Sequence, residues 1–167
     1  MTSDAKKYEE IFSGTKEVAE HLKINTLKLQ PWIDAHVPGA GSIKLIEQFK
    51  GGQSNPTYKI STDNKKLVLR RKPPGKLLPS AHAVDREYKV ITALGQTDVP
   101  VPKTYGLCED EDIAGTAFFV MDCLDGDIYW DHMLPSLSKD ERIKVYQNKN
   151  KTLAALHSVD YKKIGLE

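Results

Sequence analysis

The sequence lacks the features that mark membrane, secreted and nucleic-acid-binding chains. Its longest uninterrupted apolar run is residues 117–121, far short of the roughly 20 residues that a membrane-spanning helix needs. The first ten residues, MTSDAKKYEE, contain no apolar stretch typical of a signal peptide. Lys and Arg number 24 against 23 Asp and Glu, and a net charge of +1 would not draw the chain to nucleic acid or anionic lipid. These absences predict a cytoplasmic chain with no nucleic-acid and no membrane partner.

Cysteine is also scarce, and its placement argues against a zinc site. Cys108 and Cys123 form neither a Cys-x-x-Cys motif nor a pattern with histidine, so both are predicted to be reduced thiols. The remaining composition, 40% hydrophobic and 28% charged over 167 residues, is ordinary for a chain with a core. It excludes fibrous and wholly disordered proteins, and the length fits one domain or a piece of a larger protein.

The spacing of apolar residues changes along the chain from helical to extended. Residues 1–40 are predicted to be a helical segment, with a short amphipathic helix over 15–24 and a second helix ending at Pro38-Gly39. Residues 41–124 are predicted to form the main lobe, an α+β fold with a five-stranded antiparallel sheet and one helix packed against it. Its predicted strands are 43–49, 57–62, 66–71, 104–108 and 116–122, with the helix over 80–95.

Residues 125–167 are predicted to begin a further lobe that the chain does not complete. Ser138 and Glu141 have the spacing of a capping box, which predicts that a helix begins there. No later segment would cover the apolar side of this helix, and an uncovered apolar side favours self-association. That side comprises Ile143, Tyr146, Leu153 and Leu156.

Two candidate anion-binding features lie among the first three predicted strands. The turn 51–55, Gly-Gly-Gln-Ser-Asn, contains glycines that let a ligand approach the backbone, where successive N–H groups can bind an anion. Strand alternation places Arg70 on the face opposite Leu67 and Leu69, beneath this turn, where a guanidinium could contact phosphate oxygens. Each feature alone also fits a plainer interpretation, which is a hairpin connection for the turn and a solvated edge cation for Arg70.

Two more candidates follow in the predicted helix and the last strand. Glu87 falls near the inward stripe of the helix, where a carboxylate needs a cation, and Arg70 is the obvious partner. A surface pair with Arg86 or Lys89 is the alternative. The apolar strand that ends at Asp122 opens into a polar connector, whose backbone could pair with a purine edge or could be an ordinary loop. In this order, the four features are typical of the nucleotide-holding half of a kinase-like fold.

The sequence also resembles a known family. IEQFKGGQSNPTY at 46–58 closely resembles the glycine-loop motif of the aminoglycoside phosphotransferase family. VLRRKPPG at 68–75 is similar to the branch that includes the kinase-like domains fused to some acyl-CoA dehydrogenases. Shorter matches continue in the expected order as far as LAALH at 153–157, so the resemblance covers nearly all of the chain from about residue 29 onward.

The resemblance implies a protein-kinase-like N-terminal lobe that binds ATP or GTP, followed by a hinge and the first helix of a C-terminal lobe. Arg70 would take the place of the usual lysine, Glu87 would hold it, and the backbone of residues 122–124 would bind the base. The implied nucleotide-binding residues are Gly51, Gly52, Gln53, Ser54, Asn55, Arg70, Glu87, Met121, Asp122, Cys123 and Leu124.

The family's catalytic segment resembles His-Gly-Asp followed by Asn, with a later Asp that binds Mg²⁺, and the sequence contains neither. His157-Ser158-Val159-Asp160 has no following Asn and lies where the family has a structural Leu-His. The resemblance therefore implies a phosphotransferase that passes the γ-phosphate to a hydroxyl of a small metabolite, of which this chain holds the nucleotide-binding part and is inactive alone. No catalytic residue and no metal ligand is predicted within it. A non-catalytic nucleotide-binding module or an interaction domain is the alternative.

Overall fold

A six-stranded antiparallel sheet lies at the centre of the computed structural model, which describes residues 11–51, 54–75, 78 and 81–167. The spatial order of its strands is β1-β2-β3-β4-β6-β5. The predicted α+β class is confirmed, and the five predicted strands are present beside a short additional one. The strands are β1 (Thr15–Lys16), β2 (Ile43–Phe49), β3 (Thr57–Thr62), β4 (Lys66–Arg71), β5 (Thr104–Cys108) and β6 (Phe118–Asp122).

The helices lie before, between and after these strands. The helix predicted over residues 80–95 is present and begins at Val84. Its predicted first residue, Ser80, lies outside the described residues. Within the described ranges, no helix has the length and apolar character needed to cross a bilayer. The helices that lie wholly within the described ranges are α1 (Thr26–His36), α2 (Val84–Leu94), α3 (Glu111–Ala114) and α4 (Lys139–His157), and a 3₁₀ turn lies at Glu20–Leu22.

The predicted helix over residues 15–24 is wrong. Thr15 and Lys16 instead pair with the edge of the sheet, opposite Phe49 and Gln48. The Thr15 hydroxyl also donates a hydrogen bond to a Glu47 carboxylate oxygen at 2.8 Å. Short isolated helices are marginal in water, so pairing with an open strand edge prevails over a helical pattern that rests on two apolar residues.

The back face of the sheet, formed by Tyr58, Ile60, Leu67, Leu69, Phe118 and Val120, carries the hydrophobic core. Helix α1 packs against this face through Leu29 and Ile33, which are fully buried, and through Trp32. The Trp32 ring lies 5.0 Å from that of Phe118. A side chain at Gly106 would come within 3.1 Å of the Trp32 ring, so glycine allows the helix to approach β5 closely. The N-terminal segment therefore supplies much of the core.

The opposite front face is defined by the register of the strands and includes Thr57, Lys59, Val68, Arg70, Phe119 and Met121. Helix α2 packs on this side. Tyr88 lies 6.0 Å from Phe119 between ring centres, and the Thr92 and Thr104 hydroxyls are 2.7 Å apart. The sheet thus carries a helix on each face, whereas the sequence pattern predicts only one.

Helix α4 begins with the predicted capping box. The Glu141 N–H donates to the Ser138 hydroxyl at 3.3 Å, and the Ser138 N–H donates to a Glu141 carboxylate oxygen at 2.8 Å. The apolar side predicted for this helix is present and solvent-exposed: Ile143, Tyr146, Leu153 and Leu156 are 44–50% exposed.

Candidate functional site

The ion pair predicted between β4 and α2 is present on the front face. Arg70 Nε donates to Glu87 Oε2, and Arg70 Nη2 donates to Oε1 at 3.3 Å. Glu87 lies in the first turn of α2, which points its carboxylate at the strand below. The two side chains are 26% and 36% exposed, so solvent screens the pair and it adds at most about 1 kcal/mol to stability. The main consequence of the pair is the fixed position of the guanidinium.

A third contact completes the hold on Arg70. Its Nη1 donates to the hydroxyl of Thr57, which lies directly opposite on β3, at 3.0 Å. A guanidinium has five N–H groups, and within the described residues these three bonds leave one N–H on each terminal nitrogen. Two such donors suit an anion with two acceptor oxygens, such as a phosphate.

Asn55 joins the glycine turn to this pair. Its side chain is buried, and its Nδ2 donates to Glu87 Oε1 at 3.0 Å. Its Oδ1 lies 2.8 Å from Nδ1 of His82, the residue two positions before α2. The Glu87 carboxylate is thus shared by Arg70 from the strand and Asn55 from the turn.

A cavity of about 650 Å³ opens beside these groups. That volume lies within the range of small-molecule sites, about 300–1,000 Å³. Arg70, Arg86 and Glu87 are its charged residues, so cations exceed anions in its lining. Ser54, Asn55 and His82 contribute further polar groups, and Val90 and Ile91 form part of an apolar wall. The cavity can therefore hold an anionic ligand that also has an apolar part.

The glycine turn is described only in part. Gly52 and Gln53 lie outside the described residues, whereas Ser54 and Asn55 line the cavity. A side chain at Gly51 would come within 3.2 Å of the Phe12 carbonyl oxygen, so this glycine allows a close backbone contact. Of the predicted turn residues, the structure brings Ser54 and Asn55 to the Arg70–Glu87 pair.

The predicted base-binding connector is only partly available to a ligand. Met121 lies opposite Val68 on the front face, beside the pair formed by Arg70 and Phe119. The Asp122 N–H donates to the Lys103 carbonyl at 2.9 Å, and the Cys123 N–H donates to the Lys66 carbonyl at 3.1 Å. Those two donors are occupied within the described chain, so the predicted contact with a base concerns the carbonyl groups of the connector and the Leu124 N–H. Within the described chain, the Leu124 N–H has no backbone partner.

The connector's side chains are also engaged or partly shielded. The Asp122 carboxylate accepts a hydrogen bond from the Tyr105 hydroxyl at 2.6 Å. Cys123 is a free thiol, as predicted, and burial raises its pKa above the ordinary thiol value. A thiol with a raised pKa is mostly protonated and is a weak nucleophile at neutral pH. We therefore expect no nucleophilic role for Cys123.

The segment that only superficially resembles a catalytic motif forms local contacts instead. His157 is the last residue of α4 and is exposed. Asp160 accepts a hydrogen bond from the Lys163 N–H at 3.3 Å, and no hydrogen bond joins it to His157 in the described part of the chain. Among the described residues, no group of three or more His, Cys, Asp or Glu is arranged to hold a metal ion.

Two functional candidates, Thr57 and His82, are missing from the residues predicted by sequence. The hairpin register could have indicated Thr57, because it pairs with Arg70 across two strands that were correctly predicted. No local signal indicates His82. Its contact with Asn55 spans 27 positions and depends on how α2 is placed over the turn.

Comparison with known proteins agrees with this geometry. Residues 45–167 match the model of the phosphotransferase enzyme family, APH. The chain belongs to this family. A solved structure from Ralstonia eutropha JMP134, assigned as a candidate aminoglycoside phosphotransferase, is 45% identical with a TM-score of 0.74 and is matched over 86% of this chain and 41% of its own. The kinase-like phosphotransferase fold is therefore shown.

Proteins with similar sequences include members of the acyl-CoA dehydrogenase family. Rat acyl-CoA dehydrogenase family member 11 is 40% identical over 162 residues, which cover 95% of this chain and 21% of the relative. Mouse acyl-CoA dehydrogenase family member 10 is 46% identical over 127 residues, covering 76% and 12%. The chain thus spans about a fifth or less of the length of these relatives.

Proposed function

We propose that this chain is the nucleotide-binding lobe of a small-molecule phosphotransferase that uses ATP or GTP. The observation that carries the proposal is the Arg70 guanidinium, which Glu87 and Thr57 hold at the edge of a cavity with two N–H donors left for phosphate oxygens. In the intact enzyme, the γ-phosphate would pass to a hydroxyl of a small metabolite. The base would lie near Met121 and the Leu124 N–H, which is the connector donor left without a backbone partner in the described chain.

We further propose that residues 1–167 alone do not transfer phosphate. Phosphoryl transfer needs a group that orients the attacking hydroxyl and ligands for Mg²⁺. Among the described residues, Glu87 is the carboxylate that lines the cavity, and Arg70 and Asn55 already engage it. The sequence has no His-Gly-Asp segment that would supply another, so the cavity residues do not fit a magnesium site.

Titration of the 167-residue chain with ATP and with GTP, followed by calorimetry, tests the binding proposal. Arg70→Ala should weaken binding by roughly 10- to 100-fold, because it removes charge-assisted hydrogen bonds to phosphate. Arg70→Lys should weaken it less, since it keeps the charge but loses the planar fork. Arg142→Ala, which removes the same charge from α4, is the matched control and should bind like the wild type. Equal binding by Arg70→Ala and the wild type would refute the proposal.

An interaction domain is the second candidate, and the exposed apolar side of α4 favours it. A domain that only bridges partners would not bind nucleotide, and Arg70→Ala would not alter its association.

Phosphotransfer by purified 1–167 that persists after contaminating kinases are removed would contradict the expected inactivity.

A further inference from the structure

His82 occupies an unusual backbone position beside the candidate site. Its φ of 57° lies in the left-handed region, which is uncommon for residues other than glycine, although asparagine, aspartate and histidine adopt it more often than the rest. The Val84 N–H donates to the His82 carbonyl at 2.9 Å and helps to hold this turn immediately before α2. The turn directs the imidazole toward Asn55, so that Nδ1 lies 2.8 Å from the amide oxygen.

The partners of Asn55 determine which atom of His82 carries the proton. The Glu87 carboxylate, which forms the ion pair with Arg70, only accepts hydrogen bonds, so the Asn55 group 3.0 Å from it is the NH₂ group. The Asn55 oxygen then faces His82 and needs a donor, and Nδ1–H of His82 supplies it. Asn55 is 3% exposed, and water therefore cannot easily replace either bond.

We infer that His82 is a positioning residue of the nucleotide site, acting through Asn55 on the Arg70–Glu87 pair. Its donor holds the Asn55 amide from the side opposite Glu87. Without that donor the amide keeps only one of these two hydrogen bonds, so it holds Glu87, and through Glu87 the Arg70 guanidinium, less firmly. This inference rests on the proposed nucleotide function, since the two open N–H groups of Arg70 are the ones that would meet phosphate.

Two substitutions separate the donor of His82 from its backbone conformation. His82→Asn keeps an amide N–H near the position of Nδ1 and tolerates a left-handed backbone. His82→Gly tolerates the same backbone but has no donor. We expect His82→Asn to bind ATP within about threefold of the wild type and His82→Gly to bind roughly tenfold more weakly, because a buried acceptor loses its hydrogen bond. Equal affinities for the two variants would overturn the inference.

A second measurement does not need the nucleotide. The Arg70 Nε–H resonance in ¹⁵N NMR spectra of the 167-residue chain reports its hydrogen bond to Glu87. We expect this signal to shift and exchange faster with solvent in His82→Gly, but to stay near its wild-type position in His82→Asn. An unchanged signal in His82→Gly would refute the link. If the wild type binds neither ATP nor GTP, the proposed function fails, while this comparison still decides whether His82 positions the pair.

Discussion

Arg70 and Arg71 are neighbours in the sequence, but their side chains lie on opposite faces of the sheet and meet different partners. The Arg70 side chain is 26% exposed on the front face and pairs with a carboxylate. Arg71 is 4% exposed, and its hydrogen bonds go to the carbonyl oxygens of Ala114 and Leu22. Arg70 thus presents hydrogen-bond donors to a cavity, whereas Arg71 links segments that are distant in the sequence through hydrogen bonds.

The burial of Arg71 shows how the back face accommodates a charge. Its guanidinium lies 5.2 Å from the centre of the Tyr58 ring, whose hydroxyl donates to the same Leu22 carbonyl at 3.0 Å. Burial lowers the pKa of Arg71, yet an arginine stays protonated in proteins. Its Nε has no hydrogen-bond partner among the described residues. The carbonyls and the ring therefore stabilise the cation, which connects the N-terminal segment and α3 to β4.

The largest expected loss of stability comes from removing the Trp32 side chain, which packs in the core on the back face. Trp32→Ala should lower the free energy of unfolding by about 3–5 kcal/mol, because it empties the space between α1 and Phe118. Urea denaturation measures the loss. Leu27→Ala on the same helix is the control; Leu27 is 85% exposed, and its removal should change stability by less than about 0.5 kcal/mol. A loss below about 1 kcal/mol for Trp32→Ala would contradict the assigned core.

The next effect compares the two arginines directly. Arg71→Met should lower the free energy of unfolding by about 2 kcal/mol, because buried carbonyls lose a charged donor. Arg70→Met should lower it by less than about 1 kcal/mol, since its ion pair is partly exposed. The order should reverse for ATP affinity, which only Arg70→Met should weaken strongly. If Arg70→Met proves the more destabilising variant in urea, the contrast between the faces is wrong.

The smallest effect is a loss of stability at alkaline pH. Burial raises the pKa of Tyr58 and of Cys108, both on the back face. The unfolded chain then ionises first, at about pH 8.5 for cysteine and about 10 for tyrosine, and binds fewer protons than the folded chain. Stability should therefore be fully present below about pH 8 and fall as the pH rises, by about 1.4 kcal/mol for each unit of pKa difference.

Urea titrations between pH 7 and 10 measure this decline. Cys108→Ala should reduce the part that begins near pH 8.5, to which Cys123 also contributes, while the part due to Tyr58 remains at higher pH. A stability that rises over this interval in the wild type would show that the buried groups do not titrate as inferred.

Much of the fold could be predicted because each strand carries its own signal. The alternation in residues 66–71 places Leu67 and Leu69 on one face and Arg70 on the other, and the burial of these residues agrees. The same alternation places Arg70 on the face that the helix covers. Because an unpaired carboxylate is costly to remove from water, it also predicted that Glu87 pairs with Arg70. Residues 15–24 failed because a short helical pattern competes with an open sheet edge, a partner that lies more than 30 positions away.

The amino-acid sequence by itself determined five of the six strands, helix α4 with its cap, and the pairing of Arg70 with Glu87, because backbone periodicity and capping act between near neighbours. Only the tertiary structure decided which groups share Glu87, which connector N–H groups are occupied, and that α1 covers the back of the sheet. Those outcomes depend on contacts between distant segments, such as His82 with Asn55 and Trp32 with Phe118. Hydrogen bonds and packing at such separations require the folded sheet to hold the segments together.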